Sequence, residues 1–250
     1  MKGRRRVVGL HAAEAALNNT PDQIVNVWLD DKREDRRLTE LRQTLMHWGI
    51  VPQPALRKKL DALAEGLNHQ GIVMELNAPA ERDENDLRAA LEQTTSRSLY
   101  LALDQVQDPH NLGACLRTAD AVGVAGVIIT RDQSVGLTPT VARVASGAAE
   151  TVPVYQVTNL VRTLTLCKER GLWIMGAAGE SARSLYETDL NLPLVLVVGA
   201  EGKGLRRLTR DHCDFLVRIP MQGQVQSLNL SVATGILLYE TLRQRLSSSN

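Results

Sequence analysis

Aromatic side chains are scarce in this sequence: they make up 3% of its 250 residues, and phenylalanine occurs once. Proteins that read single-stranded bases by stacking them on aromatic platforms need more than this. If the chain binds nucleic acid, phosphate contacts and shape must dominate. Cysteine is equally sparse. Cys115, Cys167 and Cys213 are odd in number and form no Cys-x-x-Cys pair, so they suggest neither a disulfide framework nor a zinc site. They are expected to be small core residues in a reducing cytosol. Long apolar runs are also missing. The longest, Leu194 to Val198, falls far short of the ~20 residues of a membrane span. The basic start MKGRRR leads to His11 and Glu14, which interrupt the apolar region a secretion signal requires. A cytoplasmic, non-membrane protein is expected. The net charge of +1 gives no bulk sign of a nucleic-acid partner.

What is present is an ordinary globular composition, 44% hydrophobic and 23% charged, at a length suited to one large or two ordinary domains. Residues Val7 to about Asn77 alternate strand and helix patterns. Val25–Leu29 and Ile72–Leu76 read as strands, and Leu38, Leu41, Leu45 and Trp48 stand at helical spacing before Gly49. Ala78–Arg97 is polar, charged and proline-bearing at its front, then weakly helical, and has the composition of a domain linker. From Ser98 the pattern runs strand 99–104, helix 111–122, strand 127–130, helix 138–149, strand 152–157, helix 159–169, strand 172–175, strand 194–198, strand 215–219 and a helix beginning near Leu228. Such alternation implies an α/β fold with a mostly parallel sheet covered on both faces. Cations cluster locally at Lys2, Arg4, Arg5 and Arg6, and again at Lys203, Arg206, Arg207 and Arg210.

In an open parallel sheet the ligand crevice lies at the carboxyl ends of the strands. That makes Gly199-Ala-Glu-Gly-Lys-Gly204, Pro220-Met221 and Ser227-Leu228-Asn229 candidate walls of one pocket. The glycine spacing fits neither the P-loop nor the dinucleotide fingerprint. Taken alone, it reads either as a tight strand-to-helix turn or as a ligand loop.

Together with DPHNLGACLRTADAVGV at Asp108–Val124, this stretch resembles the SpoU-type, TrmH-like branch of the SPOUT RNA 2′-O-ribose methyltransferases. The family's three motifs are matched in order by Asn111-Leu-Gly with Arg117, by Gly199–Gly204, and by Ser227-Leu-Asn229. Gly9-Leu-His11-Ala and His69-Gln-Gly71-Ile look like members carrying an extra N-terminal RNA-binding domain. The resemblance implies an L30e-like RNA-binding domain at 1–77, a linker at 78–97, and a trefoil-knotted methyltransferase domain at 98–250 that forms a homodimer. It implies S-adenosylmethionine as cofactor, held by Gly199, Ile219 and Leu228 with Ala177 and Gly179, and no metal. The implied substrate is a guanosine of large-subunit (23S) ribosomal RNA, in the peptidyl-transferase P loop.

The implied catalytic set is Asn111, Arg117, Glu201, Ser227 and Asn229. An arginine is effectively always protonated, so Arg117 is assigned to the target phosphate and hydroxyl, with Glu201 orienting it or taking the proton. Ser227 and Asn229 would fix loop and cofactor. Ser227 and Asn111 read equally as helix N-caps, and His11 as a structural or capping histidine. Two other readings stay open: a tRNA ribose methyltransferase of the same superfamily, and a non-catalytic RNA-binding ribosome-assembly factor, which has no need of all five polar residues.

Overall fold

Short runs rich in Val, Ile and Leu, separated by capped helices, define the chain's path in a computed structural model that describes residues 4–33, 35–77 and 82–247. Lys2 and the front of the expected linker, 78–81, lie outside them. In chain order the first elements are β1 (Arg4–Val8), α1 (Leu10–Asn19), β2 (Ile24–Asp30), α2 (Arg36–His47), β3 (Gln53–Ala55), α3 (Arg57–Ala64) and β4 (Ile72–Asn77). Then come α4 (Glu84–Leu91), β5 (Leu99–Asp104), α5 (Pro109–Val122), β6 (Gly126–Thr130), α6 (Pro139–Ala145), α7 (Ala148–Thr151) and β7 (Val154–Val157). The last are α8 (Leu160–Glu169), β8 (Trp173–Ala177), β9 (Leu194–Gly199), α9 (Arg207–Asp211), β10 (Phe215–Val217) and α10 (Leu230–Ser247). Two compact units result, one of Met1–Ala80 with Leu137–Thr151 and one of Glu81–Gly136 with Val152–Asn250.

The first unit holds a four-stranded sheet in the order β1-β4-β2-β3. Strand β4 runs antiparallel to β1 and β2, and β3 parallel to β2. Leu10, Leu17, Leu38, Leu41 and Leu45 from α1 and α2 join Val27, Leu29, Ile72 and Met74 in one core cluster. Leu60 and Ala64 of α3 pack with Val73 in another. The Gly9 and His69–Gly71 signatures meet here. Gly9, at φ 96°, donates to Ile72 O at 3.3 Å, and Gln70 Oε1 accepts from Leu10 N at 3.1 Å. Gln70 therefore supplies the α1 capping acceptor considered for His11, whose own side chain is exposed with Nδ1 3.8 Å from Glu14. Trp48 follows the end of α2 and is 52% exposed, so it does not extend the buried leucine stripe.

The single helix expected at 138–149 is two. Ser146 and Gly147 take φ 51° and 97° and break it between α6 and α7. A side chain at Gly147 would stand 3.1 Å from Ala15 Cβ. Glu150, whose side chain is 4% exposed, pairs with Arg5. These contacts explain why 137–151 groups with the first unit although its sequence neighbours are strands of the second.

The second unit is built on six strands in the order β10-β8-β9-β5-β6-β7, every neighbouring pair parallel. Helix α4 lies inside the stretch expected as linker. Asp83 and Asp86 form a reciprocal capping box, and Leu87 and Leu91, four apart on one face, are buried with Tyr155, Leu160 and Leu164. The polar composition of 82–97 describes the exposed face of this helix. Cys115 and Cys167 are buried and Cys213 half-buried, as expected of core residues. Among the described residues no helix is long and apolar enough to cross a membrane.

Two measurements follow from this packing. Leu87→Ala should lower the unfolding free energy by about 2–5 kcal/mol, read by denaturant titration; a change under ~0.5 kcal/mol would count against the packing of α4 on this core. Burial pushes the thiols of Cys115, Cys167 and Cys213 up to about 12 from an ordinary 9.0. The neutral thiol is thus favoured by the folded state. Its contribution is whole below pH 9 and is lost as pH rises toward 12, so melting temperature should fall across that window, and less steeply in a Cys167→Ala chain than in the parent.

Candidate active site

The chain runs from β5 outward through β6 to β7, then resumes on the other side with β8, β9 and β10. Strand order reverses between β5 and β9, and in open parallel sheets the ligand crevice lies at the carboxyl ends at such a reversal. Strand β5 leads there to α5, β9 to the loop 199–206, β8 to Ala177–Gly179, and β10 to Ile219.

The loop after β9 is shaped by missing side chains. A Cβ on Gly199 would sit 2.0 Å from Gly204 C and 2.3 Å from Leu205 N, so only glycine lets the loop fold back on its own strand. Gly202 and Gly204 take φ 73° and 66°, conformations that glycine adopts without steric cost, and Gly204 N donates to Ala200 O at 2.9 Å. Beyond the turn, Arg206 is tied to Asp104 at the end of β5. Arg206 N lies 3.2 Å from Oδ2 and Nε 2.7 Å from Oδ1, while the Asp104 side chain has no solvent exposure.

Three of the five expected catalytic residues come together. Asn111, 6% exposed, donates from Nδ2 to Glu201 Oε2 at 3.3 Å and accepts at Oδ1 from Asn229 Nδ2 at 3.0 Å. Asn229 Oδ1 in turn accepts from Ser231 N at 2.9 Å and Ser231 Oγ at 2.6 Å. The capping assignments therefore shift. Asp108, not Asn111, caps α5 by accepting from His110 N, and Asn229, not Ser227, holds the first turn of α10. Ser227 is exposed in the loop before that helix. Arg117 is exposed on α5, six residues beyond Asn111, which is about 9 Å along the axis and ~120° around it. Glu201 is engaged with Asn111.

The expected cofactor residues line the same end of the sheet. Gly199, Ile219, Leu228 and Ala177 are half-buried and Gly179 is exposed. Among the described residues, no hydrogen bond uses a main-chain group of 219–228. This ten-residue wall thus offers backbone donors and acceptors beside apolar side chains, which suits a nucleoside held mainly by main-chain contacts. Of the local cations, Arg206 serves Asp104 and Arg210 pairs with Glu180, whereas Lys203 and Arg207 are exposed beside the glycine loop. Reading the sequence did not single out Asp104. Its signal was a carboxylate closing the otherwise apolar strand LYLALD.

Comparison with known proteins bears on this geometry. The SpoU rRNA Methylase family matches residues 98–239, and the family described as RNA 2′-O ribose methyltransferase substrate binding matches residues 6–82. A 23S rRNA (guanosine-2′-O-)-methyltransferase RlmB of Shewanella oneidensis is 53% identical over 247 residues, covering 99% of this chain and 100% of that protein. The enzyme of the same name from Pseudomonas aeruginosa is 52% identical, with 96% of each chain covered. In fold, the chain is similar to the SpoU methyltransferase AviRb from Streptomyces viridochromogenes, solved with the cofactor AdoMet, at a TM-score of 0.81 and 23% identity over 98% of this chain and 92% of that one.

The Asn111 junction can be probed without reference to activity. Asn111→Asp keeps the acceptor for Asn229 but sets a second carboxylate against Glu201. Like charges at this separation raise the pKa of one of them. The variant should lose about 1 kcal/mol at pH 7.5, and the deficit should shrink as pH falls below 5, because protonating one carboxyl removes the repulsion. Matched melting curves at both pH values test this, and a pH-independent deficit would count against the contact.

Proposed function

The chain belongs to the SpoU rRNA methylase family, and we propose that it transfers the methyl group of S-adenosylmethionine to the ribose 2′-hydroxyl of a guanosine in 23S ribosomal RNA. The observation that carries this reading is the union, at one crevice, of a main-chain wall at 219–228 with the Asn111, Glu201 and Asn229 contacts, in a chain that relatives of that activity match end to end. The bound cofactor supplies an electrophilic methyl on its sulfonium. Gly199, Ile219, Leu228, Ala177 and Gly179 hold it, chiefly through backbone groups. Asn111 and Asn229 fix the loop that carries Glu201, leaving one carboxylate oxygen for the hydroxyl proton. Arg117 aligns the target phosphate and hydroxyl, and Ser227 steadies the loop before α10. Such positioning lowers barriers by up to ~7–11 kcal/mol in favourable cases.

The RNA strand passes Lys203 and Arg207, while residues 6–82 select the substrate. The P loop of the peptidyl-transferase centre is the location we assign to the guanosine, and the cytoplasm is where the reaction occurs. A homodimer belongs to this reading. Val232 and Tyr239 of α10, 50% and 53% exposed, and Gly235, beside which an added Cβ meets nothing within 4 Å, leave a face open to a second copy. A trefoil knot also belongs to this reading, with the segment after β10 passing the 178–193 loop. Arg218 lies against that loop, donating from its backbone N to Arg183 O at 2.9 Å.

The test is methyl transfer to unmethylated 23S rRNA, with position mapped by 2′-O-methyl sequencing and cofactor affinity by calorimetry. Arg117→Ala should leave melting temperature and cofactor affinity within error and slow single-turnover transfer by ~10²–10⁴-fold. Arg117→Lys should restore little, since a point charge does not reproduce a planar fork of donors. Absence of cofactor binding, or methylation only of tRNA, would overturn the proposal, and normal turnover in Arg117→Ala would remove that residue from the mechanism.

A further inference from the structure

Asp104 has no solvent exposure on its side chain, and both of its carboxylate oxygens are taken by a single residue 102 positions away, Oδ2 by Arg206 N and Oδ1 by Arg206 Nε. Its backbone does something else. In the parallel β5–β9 ladder Asp104 stands opposite Gly199, the first residue of the glycine loop. One residue therefore fixes both ends of the 199–206 loop, the start through the strand register and the finish through its side chain. The loop between carries Glu201, and the other anchor of Glu201 is Asn111, seven residues after Asp104 in the same β5–α5 connection.

A buried carboxylate is tolerable only when paired and hydrogen-bonded. Opening the loop at 206 strands that charge, so the closed loop is the arrangement the fold enforces. Arg206 is itself 45% exposed. Replacing it leaves no cavity in the core.

We infer that Asp104 and Arg206 form a positioning latch that holds the glycine loop closed, so that Gly199 meets the cofactor and Glu201 faces the reacting hydroxyl. Neither residue touches the reacting atoms; both act through the loop. This rests on the methyltransferase reading above, and the two fail differently: a parent chain that neither binds S-adenosylmethionine nor methylates 23S rRNA ends that reading, whereas an active parent whose latch variants behave normally ends only this one.

The experiment compares the full-length parent with Arg206→Ala, Arg206→Lys and Asp104→Asn. Each is measured for melting temperature, calorimetric S-adenosylmethionine affinity and single-turnover transfer at saturating cofactor. Arg206→Ala should weaken cofactor binding about tenfold, equivalent to ~1.4 kcal/mol, and slow transfer at saturation by a further factor of about ten, with melting temperature lowered by only a few degrees. Arg206→Lys should recover part of both, because its ammonium restores charge to Oδ1. Asp104→Asn turns an acceptor into a donor facing another donor and should match the alanine variant. As a second check, Arg88→Ala, exposed on α4 and outside both the latch and the RNA path, should leave cofactor affinity unchanged. The proposal is overturned if Arg206→Ala shows parent affinity and parent single-turnover rate, or if melting temperature falls while both kinetic readouts hold. It is equally overturned if Arg206→Lys is no better than alanine in both readouts.

Discussion

The site hangs on the parallel register of β5 and β9, which sets Asp104 beside Gly199. From that pairing the remaining geometry follows in a short chain of causes. With no side chain at position 199, the chain folds back until Gly204 occupies the space a Cβ would need. The return brings Arg206 within reach of the Asp104 carboxylate, and the connection from β5 into α5 carries Asn111 to Glu201. Any side chain at 199, or a slip of one residue in the β5–β9 register, would separate all of these at once, because a one-residue slip exchanges the faces of a strand.

A second constraint reaches the site from the far end of α10. Gln244 accepts from Leu190 N at 2.9 Å and donates to Thr188 O at 3.0 Å, and Arg245 donates to Leu192 O and Arg97 O. The buried Glu240 is held by Arg243 and Gln244. Hydrogen bonds from Arg243, opposed by burial, keep its carboxyl below the ordinary range. These contacts pin the last turns of an 18-residue helix, about 27 Å long at 1.5 Å per residue. The helix packs on α5. The first turn, which Asn229 caps, is thereby aimed at Asn111. A rigid helix transmits the position of its tail to its head, so residues with no part in the chemistry help decide where Asn229 stands.

How much of this was legible in the sequence depends on the distance over which each contact acts. Strand β5 was read at its observed limits and β9 to within a residue, because a continuous apolar run between turn residues is a local signal. The three motifs fall at one end of the sheet for the same reason: each lies in the connection that follows one strand. Helix α4 showed only as a weak helical pattern and its packing not at all, since Leu87 and Leu91 are two apolar positions in an otherwise charged stretch and their partners Tyr155 and Leu164 lie more than sixty residues on. The grouping of 137–151 with the first unit was hidden likewise, because it rests on Arg5 meeting Glu150. Capping was misassigned at Asn111 and Ser227 by small offsets, as any polar residue near a helix start satisfies the pattern, and only the bond itself tells which one accepts. Asp104 and Arg206 carried no motif that would pair them.

The polar inventory of the site is small, and nearly every member is used twice. Asn229 caps a helix and holds Asn111; Asn111 bridges two loops and steadies a carboxylate; Asp104 continues a strand and anchors a turn. An in-line methyl transfer asks for alignment more than for many polar groups, and alignment here comes from the same bonds that fold the loops. Truncating one of these residues disturbs folding and chemistry together, so a lost rate by itself says little about role. Isosteric changes that alter one hydrogen bond and keep its neighbours, read simultaneously in stability, cofactor affinity and the transfer step, are what separate a residue that holds the loop from one that meets the substrate.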